Sequence, residues 1–389
     1  MEIHRQSLGI VEKQRDLAYQ NLELYNIYID ILGSSMNKKI NSVLVIGLGK
    51  VGALVAILLH ENGYAVTGLV RSDIGNVPFQ LVQVDISDHD SLKKVIAKHD
   101  AVVSCLPYHM NLDVARAAHA VGKHYFDLTE DVPTTRGIRE LAETSKGLMA
   151  PQCGLAPGFI GIVGANLARD VDELRSIELR VGALPKHPRG LLGYAFNWSA
   201  EGVVNEYLND CEVIKDGEHI RIPAMEDLET IVIDGVQLEA FTTSGGLGTM
   251  CETFKGKVFK LDYKTIRYPG HCKLMRFFFN ELYMRKKREL SGKILVNAKP
   301  PVKEDVVYIH AAVEGWENEK LRRKEFVRSY FSRQIAGETW KAISWTTAGS
   351  ACAVVEMVAR GDLSDRGFLK QESISHDKFF NTPTGLFFS

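Results

Sequence analysis

Cysteine is sparse in this chain and never paired at short range. Cys105, Cys153, Cys211, Cys251, Cys272 and Cys352 form no Cys-x-x-Cys motif, so neither a zinc site nor a thiol redox centre has its usual spacing and no metal is expected. An excess of charge is also missing: 47 basic side chains face 48 acidic ones. The basic runs Arg285–Arg288 and Arg322–Lys324 are short and read as solvated faces, which argues against nucleic acid or a membrane surface as partner. No apolar run approaches the roughly 18 to 20 residues that a bilayer span requires, and the N-terminus lacks the charged-then-apolar order of a secretory signal. Repeats and low-complexity segments are absent too. A cytoplasmic, reducing location is the expectation.

What remains is an ordinary folded composition, 45% hydrophobic and 24% charged over 389 residues, long enough for two domains with separate cores. Residues 1–40 read as an extension, with helix-like material over Val11–Leu32 that carries no assigned chemistry. From Ser42 the pattern changes. β-branched runs at Ser42–Ile46, Ala65–Val70, Leu81–Asp85, Ala101–Leu106 and His124–Leu128 alternate with amphipathic stretches at Val51–Asn62, Ser91–Lys98 and Asn111–Val121. Strict alternation implies right-handed crossovers and a doubly wound parallel sheet, so residues 41–153 form a Rossmann-type α/β domain. Leu148–Gln152 adds a strand, and an apolar helix follows to about Arg169. Beyond it, runs at Ser176–Val181, Glu212–Lys215, Ile220–Ile222 and Ile231–Ile233 lack regular intervening helices, which predicts a second, α+β domain over 154–340 with an antiparallel or mixed sheet. Thr347–Arg360 reads as a helix, inside a C-terminal segment 341–375.

Gly47-Leu48-Gly49-Lys50-Val51-Gly52 follows an apolar strand and opens a helix, the context in which this spacing has a mechanism. The first glycine makes the tight turn, the second lets backbone approach a pyrophosphate, and the third lets the helix pack on the sheet. The helix N-terminus, with Lys50 and Val51, then offers N–H groups to the phosphates. The end of the second strand selects the dinucleotide. An acidic residue there would accept from the ribose hydroxyls of NAD, but the sequence has Arg71-Ser72, which suits a 2′-phosphate, so NADP(H) is preferred over NAD(H). A solvent-facing or adenine-stacking Arg71 would permit either. Asp85, ending the third strand, either caps a helix or touches the adenine edge.

The ligand of an open parallel sheet lies beyond the carboxyl ends of its strands. That places Leu106, Pro107 and Tyr108, then Asp127, then Cys153 and Gly154 along the nicotinamide side of the cleft. Asp127 reads as a carboxylate for a substrate ammonium group, or as a turn cap before Thr129. Cys153 reads as packing or as a thiol beside the nicotinamide. Amides at the helix entry Leu155-Ala156-Pro157-Gly158 suit a carboxylate or the cofactor amide.

Cys105–Tyr108, Tyr125–Leu128 and Cys153–Gly158 resemble signature stretches of the saccharopine dehydrogenase-like proteins. Trp198–Tyr207, Leu238–Gly246 and Asp262–His271 are similar to the lysine 6-dehydrogenase branch, with Arg267-Tyr268-Pro269-Gly270-His271 the most specific piece. The resemblance covers about residues 41–375 and implies an enzyme that oxidises a C–N bond of a lysine-like amino acid, or reduces the matching imine, by hydride exchange with a nicotinamide. Related members condense an amine with an aldehyde reductively, as carboxynorspermidine synthase-type enzymes do. A dinucleotide-binding sensor without chemistry is the reading from a different class. The family architecture further implies that the C-terminal helix returns to the nucleotide domain and that the second sheet supports a homodimer. Within this frame Arg267 suits a bidentate clamp on a substrate carboxylate, and His271 suits an acid or base because imidazole titrates near neutrality. Lys264 and Tyr263 are further candidates as base and proton donor. Glu201 and Glu206 either pair a substrate ammonium or decorate an exposed helix face. Arg71-Ser72 departs from the NAD-using branch and looks like the NADP-using reductases.

Overall fold

Four consecutive buried aliphatic side chains, Val43 to Ile46, make the first strand, β1 (Ser42–Ile46), two-sided, as a strand covered by helices on both faces must be. The computed structural model describes residues 38–72, 75–169 and 171–389; the helix-like stretch Val11–Leu32 lies outside them. After β1 come α1 (Gly52–Glu61), β2 (Ala65–Val70), β3 (Gln80–Gln83), α2 (His89–Ile96), β4 (Ala101–Ser104), α3 (Tyr108–Ala120), β5 (His124–Asp127), α4 (Val132–Ala142) and β6 (Leu148–Ala150). The strands lie in the order β6-β5-β4-β1-β2-β3, all parallel. The chain runs outward from β1 through β2 to β3, then resumes at β4 on the other side of β1. That reversal opens a crevice at the carboxyl ends of β1 and β4.

The helix α5 (Phe159–Arg169) leads into a second layer built from β7 (Glu173–Pro185), α6 (Ala200–Leu208), β8 (Cys211–Lys215), β9 (Glu218–Ile222), β10 (Glu229–Ile233), β11 (Val236–Thr242), α7 (Met250–Phe254), β12 (Val258–Arg267), α8 (His271–Arg276), α9 (Arg288–Ala298), β13 (Asp305–Glu317) and β14 (Lys320–Phe331). Its sheet runs β10-β11-β12-β7-β13-β14, with β8 on β12 and β9 on β8. Only β12 and β7 pair in parallel, so the sheet is mixed. The fold is therefore a Rossmann-type α/β layer joined to a second α+β layer. β7 is about twice as long as the apolar run Ser176–Val181 suggested, because β12 and β13 pair with it on either side and hold polar ends that local pattern would release.

A short hairpin, β15 (Arg333–Ile335) and β16 (Glu338–Trp340), precedes α10 (Ala342–Ala359). This helix begins five residues before the expected Thr347. The reason is a cap from elsewhere in the chain: the buried carboxylate of Asp305, at the start of β13, accepts the N–H groups of Ala342 at 2.6 Å and Ile343 at 3.1 Å. The same helix corrects the expectation that no apolar run reaches membrane-spanning length. Ala342–Ala359 has a mean hydropathy of 1.3 over 18 residues, but 89% of it is buried inside the protein, as in a core helix. It packs against α1 and β13. The strand β17 (Gly367–Phe368) then pairs in parallel with β6 as the seventh strand of the first sheet, before α11 (His376–Phe380).

Candidate functional site

At the β1–α1 turn Gly47 has a φ of 88°, and its carbonyl accepts the Gly49 N–H at 2.8 Å. A Cβ on Gly52 would sit 2.1 Å from the Gly47 oxygen, whereas one on Gly49 would meet nothing within 4 Å. The turn is thus closed by glycine on its inner side and bare on its outer side, which fits a pyrophosphate lying on Gly49 and the amides that open α1. Arg71 and Ser72 are exposed at the carboxyl end of β2, and the Arg71 carbonyl accepts from Gln83 Nε2 at 2.7 Å. Asp85 caps no helix. Its carboxylate accepts the Ser87 N–H at 3.0 Å, which together with the positive charge of Arg71 holds its carboxyl below the usual range. The cap of α2 is instead Asp88, accepting from Ser91.

A cleft of about 420 Å³ runs from this turn to the second sheet. Gly49, Lys50, Val51 and Gly52 line one end with Cys105 and Leu106. Glu206, Tyr263, Thr265 and Arg267 line the other, and Gly154–Pro157 lie between. The far wall follows from strand alternation: Tyr263, Thr265 and Arg267 of β12 are two apart and share a face. Lys264 points away. Its Nζ donates to the Asp227 carbonyl at 2.6 Å and to Glu229 at 2.7 Å, and Glu229 with Asp262 also holds the buried Arg180. Lys264 belongs to this ion-pair network and does not reach the cleft.

Arg267 is 2% exposed. Its Nε donates to the Tyr207 hydroxyl at 2.8 Å, and Nη1 donates to the Thr265 hydroxyl at 2.5 Å and the Ile266 carbonyl at 2.8 Å. The guanidinium lies over the Tyr194 ring at 4.7 Å. Burial works against its charge, but the Tyr207, Tyr194 and Glu206 oxygens outweigh that and keep it cationic. Nη2 alone has no protein partner among the described residues, and Arg267 lines the cleft. The fork is therefore fixed on three sides and free toward the cleft.

His271 stands behind that fork rather than in the cleft. Its Nδ1 donates to the Leu192 carbonyl at 2.9 Å, which leaves Nε2 to accept from the Tyr207 hydroxyl at 3.0 Å. Burial, then the charge of Arg267, pushes its pKa down to about 3. It is a neutral imidazole that orients Tyr207, and so positions Arg267, contrary to the acid–base role its sequence suggests.

Asp127 is likewise removed from the cleft. It is fully buried, accepts from the Tyr125 hydroxyl at 2.7 Å and from the N–H groups of Thr129 at 2.9 Å and Gln152 at 3.0 Å, and ties the end of β5 to the turn after β6. Burial lifts its carboxyl to about 6 even so. The Cys153 thiol donates to the Ala150 carbonyl at 3.1 Å, and burial pushes its pKa well up. Gly158, with a φ of 130°, serves backbone packing, since a Cβ there would lie 2.0 Å from the Gly154 oxygen. Pro107 is exposed at the entry of α3. Tyr108 donates to the exposed Glu201 at 3.3 Å and lines a second chamber of about 550 Å³.

Two carboxylates face the cleft. Glu206, on α6, is 9% exposed and no side-chain hydrogen bond from a described residue holds it; burial lifts its carboxyl to about 8, with Arg267 opposing and Glu130 adding. Glu130 follows β5, accepts from no other residue among the described ones, and is lifted to about 7, by burial first. Sequence reasoning passed over Glu130, although its place three residues after a strand end in a parallel sheet was a usable signal. Among the described residues no cluster of histidine, cysteine and carboxylate side chains could hold a metal.

Residues 154–384, more than half of the chain, match the saccharopine dehydrogenase C-terminal domain. The chain belongs to the saccharopine dehydrogenase family. Residues 43–150 match its NADP-binding domain, in agreement with the NADP(H) preference drawn from Arg71-Ser72. The relatives of this family member include fungal saccharopine dehydrogenases [NADP(+), L-glutamate-forming]. That of Schizosaccharomyces pombe is 25% identical over 155 residues, 38% of this chain and 34% of the relative. That of Pyricularia oryzae is 25% identical over 202 residues, 49% and 45%. The aligned stretch thus spans less than half the length of these relatives. The structure of apo saccharopine dehydrogenase (L-Glu forming) from Saccharomyces cerevisiae shares the fold with a TM-score of 0.70 at 15% identity, covering 88% of this chain and 96% of that one.

Proposed function

We propose that this saccharopine dehydrogenase-family protein is an NADP(H)-linked oxidoreductase that oxidises a C–N bond of a lysine-like amino acid, or reduces the corresponding imine. The observation that carries this reading is one continuous cleft joining the glycine turn, where a dinucleotide fits, to the single free edge of a buried guanidinium, where a carboxylate fits. NADP(H), when bound, accepts or returns a hydride at its nicotinamide ring. Everything else falls to side chains. Arg267 fixes the substrate carboxylate through Nη2, and its orientation costs nothing at the moment of reaction because Tyr207, Thr265 and Ile266 already hold the other edges. Glu206 takes the proton from the reacting ammonium, so that the nitrogen lone pair can become the new C=N bond as hydride leaves the carbon. Its elevated pKa lies near neutral pH, where a proton can be both accepted and returned. Tyr263, kept protonated by burial, stands on the same wall of the cleft, with its hydroxyl left for the substrate.

Nicotinamide absorbance during incubation with L-lysine, saccharopine and amine-plus-aldehyde mixtures, each with NADP(H) and NAD(H), tests the reading. Turnover of one set with NADP(H) is expected. NADPH binding with no turnover on any set contradicts an enzyme of this substrate class.

A further inference from the structure

The helices α1 and α10 run side by side in the same direction. The Cys352 thiol donates to the Val55 carbonyl at 3.7 Å, and Asn62 Nδ2 donates to Glu356 at 2.8 Å. Ten residues of α10 precede Cys352 but only three of α1 precede Val55, so α10 overshoots the start of α1. Its first turns accordingly reach the cleft, where Ile343, Ser344 and Thr347 join Gly49, Lys50, Val51 and Gly52. The two helix entries differ. That of α1 has no side-chain cap, whereas the Ala342 and Ile343 N–H groups of α10 are already spent on Asp305. What α10 offers an anion is therefore chiefly a side chain.

That side chain is Lys341, the partly buried residue that enters α10. Its Nζ donates to the amide oxygen of Asn197 at 3.3 Å, an oxygen that also accepts the Val302 N–H at 2.9 Å. Asn197 is buried and lines the cleft. Burial first, then the charge of Lys50, holds the Lys341 ammonium below its usual range, with Asp305 opposing. Asp305 is committed to the start of α10 and to the Ser332 hydroxyl, and among the described residues no carboxylate forms an ion pair with Lys50 or Lys341. Two ammonium groups brought from opposite ends of the chain to one end of a cleft repel one another, and an anion between them turns that repulsion into attraction.

Position decides which anion. The carboxylate clamp, Arg267, belongs to the opposite end of the cleft, while Gly49 and the uncapped entry of α1 lie beside Lys50. We propose that Lys341 is a dinucleotide-binding residue, which grips the pyrophosphate together with Lys50. The inference rests on the dinucleotide seat at Gly49 and adds the first turn of α10 to it. Asn197 stands two residues before Ser199, the cap of α6, so the same ammonium links the phosphate end of the cleft to the helix that carries Glu206.

Calorimetric titration of the full-length protein with NADPH, NADH and adenosine 2′-monophosphate tests this. Lys341→Met should weaken NADPH and NADH alike, roughly tenfold or more, because both carry the pyrophosphate, and leave adenosine 2′-monophosphate, which lacks it, within about twofold. Lys341→Arg should restore most of the affinity. Lys341→Gln, which keeps a donor for Asn197, carries the test should Lys341→Met fail to fold. Unchanged dinucleotide affinity, or an equal loss for adenosine 2′-monophosphate, overturns the assignment. None of these readouts needs turnover. The expected losses in a protein that turns over no amine would remove the oxidoreductase reading and keep Lys341 in the seat; turnover with NADPH affinity unchanged in Lys341→Met would do the reverse.

Discussion

The hydroxyl of Tyr207 lies 3.0 Å from Nε2 of His271 and receives the Nε–H of Arg267 at 2.8 Å. Because Nδ1 of the imidazole is committed to the Leu192 carbonyl, the direction of every proton in this chain is fixed, and a cation backed by a neutral histidine is held toward the cleft.

Protonation of His271 would break that chain. Its folded pKa, about 3, lies below the ordinary 6.5, so its contribution to stability is fully present above pH 6.5 and is lost as pH falls toward 3. Between pH 7 and pH 5 the loss is about 2 kcal/mol. Carboxylates lifted by burial, such as Glu206, act with the opposite sign, losing stability as pH rises from about 4.5 toward 8, so the difference between wild type and His271→Gln isolates the histidine. Denaturant unfolding should show the wild-type advantage shrinking by about that amount at the lower pH. An unchanged difference would mean that His271 is charged or accessible in the folded protein.

Asp127→Asn should behave as a stability variant. An amide in place of the carboxylate leaves one of three buried donors facing an NH₂ group, at a cost of about 1–3 kcal/mol. A lower unfolding midpoint with kcat within a few-fold of wild type is expected. A kcat loss of a hundredfold or more at unchanged stability would return Asp127 to the chemistry.

Glu206→Gln should remove the proton acceptor. In the oxidative direction kcat/KM of the wild type is expected to rise with pH toward about 8 as Glu206 ionises. The variant should lose that limb and roughly a hundredfold or more in rate. A variant that keeps the same pH profile would exclude Glu206 from proton transfer.

Arg71→Ala should weaken NADPH roughly tenfold or more, the loss of a charged hydrogen bond, and leave NADH within about twofold. Fluorescence titration with both dinucleotides reads this directly. Equal losses would sink the assignment of Arg71 to the 2′-phosphate.

What could be read without the structure was mainly local. Gly47, Gly49 and Gly52 sit in one turn between two elements of clear periodicity, and β1 and β2 have the bounds that their apolar runs suggest. The misplaced roles involve side chains whose partners are distant in sequence. Lys264 is drawn off by Glu229 and Asp227, His271 by Leu192 and Tyr207, and α10 begins where Asp305 caps it. Alternation along β12 already separates Tyr263 and Arg267 from Lys264, and Tyr125 and Asp127, two apart on β5, already share a face. Those two signals were present in the sequence. The pairing of Glu130 with Glu206 was not, because it depends on how α6 is seated against the end of β5.

The most direct test of the account is the kinetic split produced by Arg267→Ala. With an amino-acid substrate, KM should rise roughly thirtyfold or more, about 2 kcal/mol of lost carboxylate binding, while the Kd for NADPH stays within about twofold of wild type. An unchanged KM, or a fall in NADPH affinity equal to the loss in KM, would contradict a cleft with its dinucleotide at Gly49 and its carboxylate clamp at Arg267.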